Sequence, residues 1–425
     1  MAMRNPVVQE AIDKLRKAKV EYQDTDFKPT LLYLDLIVRY FERANAARDE
    51  GKPLVAHTIL CPTEIFYAMD LVPFLVEVYA LFQNFVGDVS SYLETAAQFG
   101  LPPEVCSVHR LTDAMTIERA YPQPDVFVFS SQTCDNTPKS GKGMAELYKS
   151  PCYFLDRPYT YTERTLNYWV QECQDLIRFL EEQTGRKMDY DRLKEVVRKS
   201  YRATELCIET NELRKAVPAP LHCEGIFAGG AVNLLWAGTD EAVELLTLMR
   251  DEVKWRVDHR IGAIPNERFR LLLPFVVPFW DMPLIEWMQQ EHGAVIAMDP
   301  TNIWAEEGKW FRDPDKPLEN LARKTFLQPG CQIHGPMKDL LECLVQNAID
   351  SKVDGAVMFA HRGCRSFGAC IRSVKDELQK LGVPTLVIDC DLVDTSFTSH
   401  EEVREKLEGF FERLEERKGA SGVVN

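Results

Sequence analysis

Along the chain, short runs of consecutive apolar residues alternate with longer stretches in which apolar positions recur every three or four residues. Consecutive apolar runs suit strands buried on both faces, and the helical spacing suits the elements that cover them. The alternation therefore predicts α/β lobes built on parallel sheets. Six runs read as buried strands: 53–58, 125–130, 269–275, 294–298, 354–360 and 384–389. The segment 163–215 carries helical periodicity with almost no strand signal, and it reads as a connector between two lobes. The pattern thus divides the chain into an N-terminal helical segment (1–50), a first α/β lobe (51–162), a mainly helical connector (163–265) and a C-terminal α/β lobe (266–425), each lobe a doubly wound parallel sheet.

Local signals set some element ends. Asn5 and Pro6 suit the cap and first position of an amphipathic N-terminal helix. Ser399, with Glu402 three residues on, predicts a capping box for the last helix, and 418–425 reads as a loose tail. The stretch 139–144 (KSGKGM) lacks the first glycine of a phosphate loop and reads as a flexible turn. No internal repeat or low-complexity segment is visible.

Composition narrows the function classes. The 425 residues are 45% hydrophobic and 27% charged, the balance of a soluble globular protein. Lysine and arginine number 50 against 65 aspartate and glutamate, a net charge of −15. With no long basic run, this argues against nucleic acid as a partner. The N-terminus has no apolar signal-like core, and the longest uncharged apolar stretches, 226–238 and 271–280, are too short to span a bilayer. The expectation is a cytoplasmic protein with no membrane association, in which disulfides are disfavoured.

That leaves the twelve cysteines to explain. There is no CxxC, HExxH, GxGxxG after a strand or GxSxG, so metal ligands would have to be assembled from distant points. In open parallel sheets ligands gather at the carboxyl ends of strands. Cys134 follows strand 125–130 and Cys364 follows strand 354–360; Cys61 lies just after the first strand, and Cys106 lies at a predicted helix start. Cys173, Cys207 and Cys343 fall inside amphipathic helices and read as core packing. From position alone, the strand-end thiols are either cluster ligands or unrelated buried thiols.

The stretches 61–77, 105–110, 124–136, 151–159 and 353–411 resemble the 2-hydroxyacyl-CoA dehydratase and benzoyl-CoA reductase family, over about residues 50–415. The resemblance implies an oxygen-sensitive iron–sulfur cluster, [4Fe-4S], in the cleft between the lobes, with Cys106, Cys134 and Cys364 as its ligands. It implies a separate ATP-hydrolysing activator that delivers one low-potential electron, a thioester carbonyl reduced to a ketyl radical, and a second subunit of the same fold. The substrate class implied is a 2-hydroxyacyl-CoA or a related CoA thioester. One branch of the family is similar in another way: its homodimers carry a double-cubane [8Fe-9S] cluster and reduce small unsaturated molecules. On that reading Cys61, Cys331 and either Cys370 or Cys152 become further ligands. A third reading is a cluster-carrying scaffold without turnover. Near these motifs, His361, Arg362 and His109 are candidates to hydrogen-bond cluster sulfur or attract an anionic ligand. Glu64 is either a catalytic carboxylate or one that favours its helix dipole. Asp389, Asp391 and Asp394 read as turn and capping residues.

Overall fold

The computed structural model describes residues 4–23, 25–132, 134–221, 223–275, 277–329 and 335–422. Two helices, α1 (Pro6–Glu21) and α2 (Pro29–Ala46), precede the first lobe. As expected, Asn5 caps α1, its side chain accepting from the backbone N–H of Val7 and Val8, with proline following. The Asn5 amide also donates to the carbonyls of Arg119 and Tyr121, tying α1 to that lobe.

The first lobe runs β1 (Leu54–His57), α3 (Thr63–Ala68), β2 (Val72–Leu75), α4 (Val76–Val86), α5 (Ser90–Gln98), α6 (Ser107–Ile117), β3 (Val126–Ser130), α7 (Asn136–Tyr148) and β4 (Cys152–Leu155). Its four strands are all parallel, in the order β2-β1-β3-β4. Four helices follow: α8 (Glu163–Thr184), α9 (Tyr190–Arg214), α10 (Cys223–Leu235) and α11 (Asp240–His259). The second lobe contains β5 (Phe269–Leu272), α12 (Pro283–His292), β6 (Ala294–Met298), α13 (Pro317–Phe326), α14 (Met337–Asp350), β7 (Gly355–His361), α15 (Arg365–Lys380), β8 (Thr385–Cys390) and α16 (His400–Gly422). Its sheet is parallel in the order β6-β5-β7-β8. Both sheets therefore place their strands second-first-third-fourth, a repeat of topology that the sequence does not display.

All six predicted strands form. The pattern missed β2 and β4, both at sheet edges and four residues long. Pro73 sits inside β2, which an edge strand tolerates because one side of its ladder is unpaired. Successive residues of the central strands point to opposite cores: Leu54, Ala56, Phe127 and Phe129 into one, Val55, Val126 and Val128 into the other. Both faces are covered, as the continuous apolar runs require. The first of these cores is continuous through both lobes, joining Phe41, Phe74 and Phe127 to Phe269, Ile296 and Phe359.

Two sequence expectations are corrected. Residues 139–144 are not a flexible turn but part of α7. Gly141 is there because a Cβ would sit 2.6 Å from Cβ of Phe129, so its absence lets the helix lie on β3. The C-terminal stretch is not a loose tail from 418, since α16 continues to Gly422; 423–425 lie outside the described residues. Ser399 accepts from the N–H of Glu402 as expected, while Glu402 itself pairs with Lys406 at 2.6 Å.

The two α7 glycines give opposite tests. Gly141→Ala should cost about 1–3 kcal/mol through overpacking. Gly143→Ala, with no atom within 4 Å of its Cβ, should gain roughly 0.5–1 kcal/mol from reduced chain entropy. Urea unfolding of the two variants should shift in opposite directions, and equal shifts would contradict the packing described.

Candidate functional site

The carboxyl edges of the two sheets bring three thiols together. Cys134 follows β3 and Cys364 follows β7, so each lies after the third strand of its lobe, beside the switch point between the first and third strands. Open α/β sheets bind their ligands at that crevice. Cys106 is the cap residue of α6, Cys364 that of α15, and Cys134 lies just ahead of α7. Three helix N-termini, each a concentration of partial positive charge, therefore approach one anion-favouring space.

The lobes meet at these residues. A Cβ on Gly363 would lie 2.4 Å from Cα of Cys106 and 2.6 Å from its nitrogen. Only glycine permits this backbone contact, which sets Cys364 beside Cys106. Arg365 reaches back across the cleft to Asp135 at 2.9 Å and Asn136 at 3.2 Å. Arg110 pairs with Asp394 at 2.8 Å, with both side chains largely buried. Asp391 accepts from the N–H groups of Val393 and Asp394, fixing the turn that presents Asp394.

Burial dominates the acidity of Cys106 and Cys364. It pushes Cys106 up to about 12, and the neighbouring Cys364 and Cys134 sulfurs raise it further. The N–H groups of Val108 and His109 partly offset this without closing a cap hydrogen bond. Cys364 is pushed up to about 11 by burial, again with Cys134 as a raising neighbour. The Cys134 sulfur lies 3.3 Å from the Thr137 hydroxyl and 3.5 Å from Nε2 of His109. Glu77, just past β2, is buried in the same region; burial pushes its carboxyl up to about 7, while His109 draws it down and Cys134 raises it.

The match to known proteins adds to this geometry. The family model described as 2-hydroxyglutaryl-CoA dehydratase, D-component, covers residues 58–414. The chain belongs to that family. Similar proteins include a benzoyl-CoA reductase subunit from Thauera aromatica, 25% identical over 92% of this chain and 95% of the relative. The alpha subunit of (R)-phenyllactyl-CoA dehydratase from Clostridium sporogenes is 22% identical, over 79% and 83% of the two chains. The alpha subunit of (R)-2-hydroxyisocaproyl-CoA dehydratase from Clostridioides difficile is 20% identical over 90% and 95%.

For this dehydratase-family member the other sequence candidates fall in distinct places. Cys61 is 6% exposed and packs in the core on the α8 side of the first sheet; its sulfur is 3.9 Å from the Thr58 hydroxyl and 3.8 Å from the Val128 carbonyl. Cys331 lies outside the described residues. Cys370 is buried, donates to the Phe367 carbonyl at 3.2 Å, and has Cys364 as an electrostatic neighbour. Cys152 is half-buried on β4, 3.9 Å from the Lys142 ammonium. Glu64 is committed elsewhere: its carboxylate accepts from Ser200 at 2.6 Å and Lys324 at 3.1 Å, both buried. His361 is buried, with Nδ1 3.7 Å from the Cys390 sulfur. Arg362 is half-exposed over the Phe397 ring at 4.5 Å, with Asp389 3.9 Å away. Sequence reasoning missed Thr137, Glu77 and the Gly363 contact. Glu77 was hidden because β2 was not recognised, so the end of that strand drew no attention.

Two measurements check this picture. Lys324→Met leaves Glu64 as an unpaired buried charge and should cost about 3–5 kcal/mol in unfolding experiments. In the metal-free chain the thiolate is the reactive form, and raised values keep Cys106 and Cys364 protonated near neutrality. Their alkylation, followed by mass spectrometry, should keep accelerating above the ordinary thiol value of 9.0, toward about 11 and 12. Rates that level off near pH 9 would contradict it.

Proposed function

We propose that this chain is the iron–sulfur catalytic component of an ATP-dependent two-component reductive system, dehydrating a 2-hydroxyacyl-CoA or reducing a related CoA thioester. The observation that carries the reading is the meeting of Cys106, Cys134 and Cys364, drawn from both lobes, at three helix N-termini. Among the described residues no group of three or more His, Cys, Asp or Glu side chains is arranged to hold a single metal ion. Thiols drawn from separate elements suit a four-iron cube, whose thiolates bind different irons. Cys106 and Cys364, costly to ionise alone, are also the kind of thiol that bound metal converts to thiolates, with release of protons.

Cys106, Cys134 and Cys364 would hold the cluster, which when bound supplies single-electron reduction of a thioester carbonyl. The chain's own residues do the remaining work. Helix N-termini place positive potential around the thiolates. The Gly363 contact and the Arg110–Asp394 pair keep the two lobes in register, so the thiols keep their spacing. Arg362, at the strand end and half-exposed, can meet an anionic group of the substrate.

The relatives are themselves named as subunits of larger enzymes, which supports a second subunit here, and the low-potential chemistry calls for a separate ATP-hydrolysing activator. A cytoplasmic setting fits such chemistry; no helix among the described residues is long and apolar enough to cross a membrane.

Anaerobic reconstitution tests the reading. The chain should take up about four irons, and Cys106→Ser, Cys134→Ser or Cys364→Ser should each lower that content. Cys61→Ser should leave it unchanged. About eight irons, halved in Cys61→Ser, would favour the double-cubane reading instead, and an iron-free chain would overturn both.

A further inference from the structure

Resting on the cluster reading above, we infer that His109 is a positioning residue for Cys134, donating a hydrogen bond to its sulfur and thereby raising the reduction potential of a cluster bound there. The three proposed ligands differ in how their sulfurs are supported. Among the described residues, Cys106 and Cys364 draw on backbone N–H groups from the first turns of their own helices, Val108 and His109 for one and Ser366 and Phe367 for the other. Cys134 is met by two side chains: the Thr137 hydroxyl at 3.3 Å and His109 Nε2 at 3.5 Å.

A metal-bound thiolate accepts hydrogen bonds and donates none, so only the imidazole with its proton on Nε2 makes a favourable contact. In the neutral ring Nδ1 then becomes a bare acceptor, with the Glu77 carboxyl as an electrostatic neighbour. This nitrogen is buried with no hydrogen-bond partner among the described residues. The other neutral tautomer would bury an orphaned N–H at Nδ1 and set the Nε2 lone pair against the sulfur. Orphaned N–H groups are the rarer and costlier of the two defects.

The ring is also held in place. His109 is 6% exposed and stands in the first turn of α6, three residues after Cys106. One short stretch of helix thus carries a ligand at its cap and, on its ring, a donor to a second ligand from another element. Hydrogen bonds to cluster sulfur stabilise the reduced, more negative state and so raise the potential. Thr137 acts on the same sulfur from the first turn of α7, so among the described residues side chains act directly on the Cys134 corner.

The test compares the reconstituted full-length wild type with His109→Leu and His109→Gln. Glutamine retains an N–H donor that can reach the Nε2 position; leucine keeps bulk without a donor. Redox titration followed by electron paramagnetic resonance should show a lower midpoint potential in His109→Leu at full iron content, with His109→Gln returning toward wild type. Full iron and an unchanged potential in His109→Leu would overturn the assignment, as would an equal drop in both variants. Should His109→Leu fail to fold, the wild type still decides. With 15N-labelled histidine, pulsed resonance of the reduced cluster should show nitrogen coupling that is lost in His109→Gln, and no coupling would overturn the assignment. A wild-type chain without iron would instead overturn the cluster reading itself.

Discussion

The backbone contact between Gly363 and Cys106 is the constraint on which the site depends. The two sheets share no strand, and side-chain contacts alone would leave the distance between their edges soft. At this contact the chain of one lobe lies directly on the chain of the other, and the residues that follow, Cys364 and Ser107, each open a helix. The position of two thiols is thereby tied to main-chain geometry. The Arg110–Asp394 pair and the Arg365 bridge to Asp135 act on either side of the contact. The first of these is buried and costly to break from one side only; the second is exposed and contributes little.

The charge environment follows from the same arrangement. Burial makes Cys106 and Cys364 poor acids, and the sulfurs beside them make them poorer still. Three helix ends and a few N–H groups lower that cost without removing it. A site of this kind is unfavourable for free thiolates and favourable for thiolates whose charge is shared with a metal cluster. Glu77 belongs to this balance, since a carboxyl raised by burial to about 7 carries less than a full negative charge near neutrality.

Much of this was legible from residue order. The central strands stand out as apolar runs because both their faces are covered, and the placement of Cys134 and Cys364 after two such runs locates the crevice. The edge strands were not legible: Val72–Leu75 is short and carries Pro73, and Cys152–Leu155 follows Pro151. The helical Gly141 looks like turn chemistry in sequence because its requirement is a close approach to Phe129, a contact that no local pattern encodes. The same reason hid Thr137 and Gly363, whose partners lie in the tertiary structure. Glu64, conspicuous in sequence, proves to be half of a buried ion pair with Lys324, a partner 260 residues away.

The core that continues from Phe41 and Phe127 to Phe269 and Phe359 bears on how a reactant reaches the cleft. Proteins whose lobes open like jaws keep the seam between them thin and polar. Here a jaw-like opening would draw a shared apolar interior into water, at a free-energy cost that rises with every square ångström exposed. Opening the crevice by pulling the two sheets apart would therefore be costly. The fold trades breadth of access for constancy of spacing among its sulfurs.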